Sequence, residues 1–184
     1  NNAETIEAAL EFLANANDRT PQATPDTVID TQEPNLNFVD PSSNGPGGVI
    51  GCPRPFPADA LSTATNGGTA RNDDYVVTSA HGTIQVAEQG DYTFNFRGDD
   101  GFMFRIKAEN GPHPKFVAVG GPGSVDAEQQ NVIYYPVGTG DANTRGIIHL
   151  LAGVYHLEYV TWEGVGGFWY QVSSAKGFYP NTED

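Results

Sequence analysis

The sequence predicts an all-β fold, an antiparallel β-sandwich or jelly roll, preceded by a short N-terminal helix and an extended N-terminal arm. Two observations lead to this prediction. The 184 residues include 22 glycines and 13 prolines, a composition typical of a domain with many turns. From about residue 72, roughly six to eight short stretches alternate apolar and polar residues between glycine-rich turns. The length suits one domain with one substantial core.

The first element, residues 4–15 (ETIEAALEFLAN), predicts one short amphipathic helix. Its apolar residues recur at helical spacing, at Ile6, Ala9, Leu10 and Leu13. Acidic residues in the first turn interact favourably with the helix dipole. Because an isolated helix of this length is marginal, we expect it to dock on another part of the protein.

The next segment, residues 17–48, is rich in Pro, Asn, Asp, Ser and Thr and has little periodicity. It predicts either an extended arm or a linker. We therefore assign residues 1–65 to a helix and a loop-rich arm that packs on the domain or on a neighbouring molecule. Residues 66–184 form the sandwich, and the arm is a candidate for self-association.

The predicted strands follow one another through the rest of the chain. In residues 88–96 (EQGDYTFNF), Tyr92, Phe94 and Phe96 fall on one face and polar residues on the other. The same alternation or short apolar runs mark the other strands: YVVTSAHGTIQV (75–86), GFMFRIK (101–107), KFVAVGG, NVIYYPV and GGFWYQVSS. Residues 145–164 hold two more strands, joined through Ala152 and Gly153. His149 and His156 lie on these two strands, and we expect them to face each other across a hairpin.

The charge balance excludes some classes of partner. The chain has 23 acidic and 9 basic residues, a formal net charge of −14. This argues against nucleic acid and anionic membranes, because both need clustered Lys and Arg. No apolar run approaches the roughly 20 residues of a membrane helix. The only cysteine, Cys52, excludes an intrachain disulfide. An acidic surface favours a secreted protein and divalent cations.

One short stretch, RGDDG at residues 97–101, carries more charge than a turn needs. It stands between two predicted strands, where we expect the sheet to turn back on itself. A plain turn uses at most one Asp with a Gly, so Asp99 and Asp100 allow two interpretations. One is an Asx-type turn with Gly101, which the residues alone favour. The other is a pair of ligands for a hard cation such as Ca2+, which takes six to eight oxygen atoms.

The stretch GTIQVAEQGDYTFNFRGDDGFMFRI resembles the PA14 domain family, and in particular its bacterial surface-protein and adhesin-like members. The similarity rests on the Gly-x-Tyr-Thr-Phe run, the Asp-Asp-Gly that follows it, and a later LLAGVYHLEY at residues 150–159. It covers about residues 70–175 and leaves residues 1–65 unexplained. The resemblance implies a PA14-like β-sandwich and a bacterial protein that is extracellular or attached to the cell surface.

In the lectin-like branch of that family, two adjacent aspartates joined by a cis peptide bind a calcium ion that ligates sugar hydroxyls directly. The resemblance therefore implies that Asp99 and Asp100 bind Ca2+. It also implies that the loop at residues 161–167 (TWEGVGG) completes the site. Glu163 is the only carboxylate in that loop, and the loop lacks the Asn that family members often place there.

The same loop supplies the candidate carbohydrate contacts, which are Trp162, Gly164, Gly166 and, beside the aspartates, Arg97. An exposed tryptophan stacks on sugar rings, but Trp162 and Trp169 are also explained as core residues. Arg97 either orients a ligand and offsets the aspartate charge or is a plain surface arginine. The acidic loops VDAEQQN and GTGDAN are candidates for a second calcium, although ordinary turn chemistry explains them more simply.

No catalytic constellation stands out, so we interpret the chain as non-enzymatic. Asp99 and Asp100 are too close for the two-carboxylate geometry of glycoside hydrolysis. Two functions follow as expectations. The first is an extracellular, calcium-dependent carbohydrate-binding module of lectin or adhesin type, with cell-surface or extracellular glycans as partners. The second is a structural subunit of an extracellular filament or surface assembly, with calcium in a structural role and the N-terminal arm in self-association.

Overall fold

Two β-sheets face each other across an aromatic core, and one helix packs on the outside of one sheet. The computed structural model describes residues 5–18, 28–39, 54–55, 76–164 and 168–181. The elements in chain order are α1 (Ile6–Asp18), β1 (Asn37–Val39), β2 (Arg54–Pro55), β3 (Val76–Val86), β4 (Gly90–Asp99), β5 (Phe102–Ala108), β6 (Phe116–Gly120), β7 (Ser124–Val125), β8 (Val132–Tyr135), β9 (Ala142–Leu150), β10 (Gly153–Glu163) and β11 (Trp169–Lys176). The predicted all-β sandwich is confirmed.

The strands form a six-stranded sheet, in the order β2-β1-β11-β4-β9-β6, and a five-stranded sheet, in the order β3-β10-β5-β8-β7. Neighbouring strands are antiparallel except β1 and β2, which are parallel. From β3 to β6, and again from β8 to β11, each strand lies in the sheet opposite to the strand before it. The connections therefore cross the ends of the sandwich, and residues from several connections meet there.

This alternation corrects two expectations about neighbouring strands. RGDDG does not turn one sheet back on itself, because β4 belongs to the six-stranded sheet and β5 to the five-stranded sheet. The predicted facing of His149 and His156 is wrong for the same reason, since β9 and β10 lie in opposite sheets. His149 Nδ1 instead lies 2.9 Å from Asp91 Oδ1.

The core lies between the sheets and is largely aromatic. Phe94 and Phe96 of β4 are 3% and 1% exposed, and they meet Phe102 and Phe104 of β5 from the other sheet. The ring centroids of Phe96 and Phe104 are 4.7 Å apart. Each such ring contributes about 1.5 to 3 kcal/mol by leaving water. The predicted apolar faces of these two strands are thus the faces that form the core.

A second cluster of buried residues lies under α1 on the outer face of the five-stranded sheet. Ile6 and Ala9 of α1 pack there with Trp162 of β10 and Met103 of β5. The helix begins beside the end of β8, where Ile6 N donates to the carbonyl of Pro136 at 3.1 Å. The prediction of a helix that docks is confirmed, with bounds shifted toward the C-terminus. Within the described residues no helix has the length and apolar composition to cross a membrane.

The described parts of the predicted arm contact the sandwich itself. β1 pairs with β11, and Phe38 in β1 is 2% exposed and belongs to the main core. Val172 N donates a hydrogen bond to Leu36 O at 3.0 Å. These contacts place residues 36–39 as part of the domain and not as a free linker.

Candidate cation site at one end of the sandwich

Three connections between strands meet at one end of the sandwich. They are the β4–β5 connection, which begins at Asp100 directly after Asp99 of β4, the β8–β9 connection with Thr139, and the start of the β10–β11 connection at Gly164. The first is held by Asp100 N, which donates to Trp162 O at 3.1 Å. Thr161 Oγ1 also donates to the carbonyl of the residue after Asp100, at 2.8 Å. The ends of β4 and β10 are therefore fixed against each other.

Three carboxylates converge at this place. One oxygen of each of Asp99, Asp100 and Glu163 lies within 4.8 Å of the others. The peptide bond between Asp99 and Asp100 is cis, as the family resemblance implies. Glu163, the last residue of β10, is 1% exposed, whereas Asp99 and Asp100 are half-buried. The structure thus brings together the three residues that the sequence proposes as metal ligands.

Asp100 is oriented by backbone donors from both other connections. Thr139 N donates to its Oδ1 at 2.8 Å, and Gly164 N donates to its Oδ2 at 2.8 Å. Each carboxylate oxygen has two lone pairs, so these bonds leave acceptor capacity for a cation. Asp100 therefore ties the three connections together and still has lone pairs for a metal ion.

Asp99 is held in surroundings that disfavour its charge. Burial, the charge of Asp100 and a hydrogen bond to it, and the charge of Asp141 raise the pKa of Asp99 to about 7. A cation between the carboxylates would reverse the sign of this effect, because it favours the ionised form. The carboxylates of the site thus form a cluster whose negative charge the surrounding protein compensates only in part.

Arg97 stands beside this cluster but is paired with another carboxylate. Its Nε donates to Asp141 Oδ1 at 2.9 Å and its Nη2 to Asp141 Oδ2 at 2.5 Å, a bidentate contact. Arg97 is 21% exposed and Asp141 is 32% exposed. The guanidinium therefore links the end of β4 to the β8–β9 connection, and its predicted role toward a ligand stays a prediction.

The donor set fits a hard divalent cation. Calcium binds oxygen ligands at about 2.3–2.6 Å, so oxygens on opposite sides of one ion are about 4.6–5.2 Å apart. The observed spread of up to 4.8 Å is compatible with one shell. All three groups are carboxylates, which suit Ca2+, Mg2+ and Mn2+ better than softer metals. The residues present are therefore suited to a calcium ion.

Trp162 was predicted as a sugar-stacking residue, and the structure contradicts this. Its side chain is 0% exposed and packs in the cluster under α1. Its ring also lies against Gly101, where an added Cβ would overlap the ring and the carbonyl of Tyr135. Trp162 thus supports the aspartates from beneath and has no free face. Trp169, opposite Asp99 on β11, is 9% exposed and is no platform either.

The two predicted glycine contacts have different outcomes. Gly164 is buried, and the contact that the structure gives it is the N–H donated to Asp100. Gly166 lies outside the described residues. The role of both toward a carbohydrate stays a prediction.

Two contributors from the β8–β9 connection were missed as parts of this site. Thr139 donates its N–H to Asp100, and Asp141 pairs with Arg97. The sequence signal was the acidic loop GTGDAN, considered only as a second calcium site. The other such loop, VDAEQQN, is a turn in which Asp126 Oδ1 accepts from Glu128 N and Gln129 N at 2.9 and 2.6 Å.

Comparisons with protein-family models, with characterised proteins and with solved structures found no match to this chain.

Proposed function

We propose that this protein is an extracellular, calcium-dependent carbohydrate-binding module of lectin or adhesin type. The observation that supports the proposal is the convergence of Asp99, Asp100 and Glu163 within 4.8 Å at the end of a β-sandwich. Three ionised carboxylates this close together repel each other, and a bound cation would offset that repulsion. The carbohydrate in this proposal rests on the resemblance of RGDDG and LLAGVYHLEY to the PA14 family, whose lectin-like members bind sugars through calcium.

In the proposed mechanism, the buried carboxylate of Glu163 and the half-buried carboxylates of Asp99 and Asp100 would hold the cation. Three protein carboxylates do not fill the six to eight positions of Ca2+. The ion, when bound, supplies positions for the hydroxyl groups of a sugar. The hydrogen bonds from Thr139 N and Gly164 N fix the orientation of Asp100, so the ligands are held in place before the cation arrives.

The proposal is tested by glycan binding and thermal melting of the same protein with calcium and with EDTA. We expect calcium to raise the Tm and to be required for binding on a glycan array, since a ligand bound only to the native state stabilises it. Asp99→Asn and Glu163→Gln should lose both effects. The matched control, Asp30→Asn, removes an exposed carboxylate elsewhere and should keep both. Calcium-independent glycan binding, or no glycan binding by the folded protein, would refute the lectin role.

A second candidate function is a structural calcium ion in a subunit of an extracellular assembly. It is favoured by the complete burial of Glu163 and by the three connections that meet at Asp100. In this case calcium raises the Tm, no glycan binds, and light scattering shows calcium-dependent association. Calcium that raises the Tm of a monomer and permits glycan binding contradicts this candidate.

A further inference from the structure

A polar cleft lies away from the carboxylate cluster, between the end of β5, the segment before β6 and the loop before β8. It has a volume of about 340 Å³, within the size range of small-molecule sites. Its lining residues are Lys107, His113, Pro114, Lys115, Glu128, Gln129, Gln130 and Asn131. Apart from Pro114, every lining residue carries a charged, amide or imidazole group.

The walls of the cleft are fixed by hydrogen bonds to the sandwich. Asn131 and Ile106 of β5 bond to each other twice, with Asn131 Nδ2 to Ile106 O at 2.8 Å and Ile106 N to Asn131 O at 3.1 Å. Phe116 N donates to Gln130 O at 2.9 Å and so fixes the start of β6 to the same loop. A preformed wall lowers the ordering cost of binding a ligand.

The charges in the cleft differ from those of the whole chain. Two of the three lysines in the sequence line it, against one carboxylate, in a chain of net charge −14. Four other cations of the sandwich have partners: Arg97, Arg105 and Lys176 pair with carboxylates, and Arg145 donates to Asn95 and to carbonyls. In the described part of the chain, the side chains of Lys107 and Lys115 have neither an ion pair nor a hydrogen bond.

We propose that this cleft binds an acidic saccharide, one bearing carboxylate or sulfate groups, without a metal ion. The ammonium groups of Lys107 and Lys115 provide the charge that an anionic substituent requires. The side-chain amides of Gln129 and Gln130 offer both donors and acceptors, which suit sugar hydroxyls. The many side-chain amides and the absence of Leu, Ile, Val, Phe, Tyr and Trp from the lining favour a saccharide over an acidic peptide with apolar side chains.

The cleft is separate from the carboxylate cluster. Asp100 precedes β5 and Lys107 lies near its other end, so about 23 Å of extended chain separates them at roughly 3.3 Å per residue. That exceeds the Debye length of about 8–10 Å at physiological salt. The inference therefore goes beyond the proposed calcium-dependent function and does not rest on it.

The test is isothermal titration of the full chain with tetragalacturonate in EDTA, which removes any calcium-mediated binding. We expect binding that weakens as sodium chloride is added and that falls at least about tenfold in the double variant Lys107→Ala/Lys115→Ala, a loss of about 1.4 kcal/mol or more. The matched control is Lys176→Ala, which removes the third lysine, paired with Glu88 elsewhere, and should change affinity less than about twofold. The three substituted side chains are exposed, so the variants should fold like the wild type. Circular dichroism checks that they do.

Two further ligands separate the alternatives. Neutral cellotetraose should bind far more weakly than tetragalacturonate, and so should the acidic peptide hexaglutamate. If cellotetraose bound with the same affinity as tetragalacturonate, the cleft would not recognise the negative charge. If hexaglutamate bound with the same affinity, the cleft would not recognise the saccharide. Absence of tetragalacturonate binding to the wild type, or unchanged binding in the double lysine variant, would also overturn the proposal.

Discussion

At the scale of single residues, Asp99 is the group whose surroundings most disfavour its charged state. Its pKa is raised from 3.8 to about 7, first by burial and then by Asp100. In the metal-free protein the folded state therefore keeps a proton that the unfolded chain releases. The contribution of this proton to stability is present at low pH and is lost as the pH rises from about 4 to about 7.

The corresponding prediction compares the wild type with Asp99→Asn in EDTA. The substitution removes the titrating group and keeps the shape, so the stability of the variant relative to the wild type should rise from about pH 4 to about pH 7 and stay at its highest above about pH 7. Below about pH 4 this relative stability should be lowest. The measurement is the Tm of both proteins across this range of pH.

Calcium should change the relative stability of these two proteins in the opposite direction. In saturating calcium above pH 7, the wild type should melt at the higher temperature, because only it keeps all three carboxylate ligands. Asp30→Asn, at an exposed position, should follow the wild type in both solutions. If Asp99→Asn and the wild type have parallel pH profiles in EDTA, the electrostatic description of this site is wrong.

At the scale of elements, the helix α1 explains why one face of β10 is apolar at one end and polar at the other. His156, Glu158, Val160 and Trp162 alternate onto the outer face of the five-stranded sheet. α1 covers Val160 and Trp162 through Ile6 and leaves His156 exposed. Helix α1 therefore covers the apolar half of that face. It packs on Trp162, whose ring lies against Gly101, the residue after Asp100.

We predict that Ile6→Ala loosens this docking. Ile6 is 5% exposed and packs in the cluster with Trp162, so its truncation should lower the free energy of unfolding by about 2–4 kcal/mol. Loss of cover over Trp162 should also shift tryptophan emission to longer wavelength. Denaturant unfolding followed by fluorescence measures both quantities.

Leu10→Ala is the matched control, because Leu10 lies on the same helix but is 37% exposed. Its cost should stay below about 1 kcal/mol, as is usual for surface substitutions. Equal costs for the two variants would mean that α1 does not dock through Ile6.

The elements themselves could largely be predicted from the sequence, but their partners could not. Alternation in β4 and β5 identifies the buried face because side chains alternate strictly along a strand. It does not say which sheet receives the next strand, and for this reason the pattern alone predicts RGDDG as a turn within one sheet. The position of Trp162 is mispredicted for a related reason: it shares a face with the exposed His156, and it is buried in a cluster to which the distant helix α1 contributes Ile6 and Ala9.

The three carboxylates of the candidate site could be predicted from the sequence, but the residues that position them could not. Asp99 and Asp100 are predicted from the resemblance of RGDDG to a family motif, and Glu163 is predicted as the only carboxylate in the loop that the resemblance implies. Thr139 and Asp141 were missed because they lie 39 and 44 residues from the groups they contact, Asp100 and Arg97. Contacts between the ends of crossing strands depend on topology, and no local pattern in the sequence records them.

At the scale of the whole molecule, the net charge of −14 acts on stability independently of any site. Charges of one sign repel each other more strongly in the compact state than in the expanded chain. Any added salt shortens the range of this repulsion, from about 30 Å at 0.01 M to about 8 Å at 0.15 M ionic strength. Calcium should therefore stabilise this protein in two ways, by screening and by binding.

The two effects are separated by melting the wild type and Asp99→Asn in calcium chloride and in sodium chloride at matched ionic strength, above pH 7. Screening depends on ionic strength, so sodium chloride should raise the Tm of both proteins by the same modest amount. Binding at three converging carboxylates needs all three, so calcium should add a further rise in the wild type only. Equal rises from the two salts in the wild type would mean that calcium acts on the acidic surface as a whole and that the carboxylate cluster does not bind it.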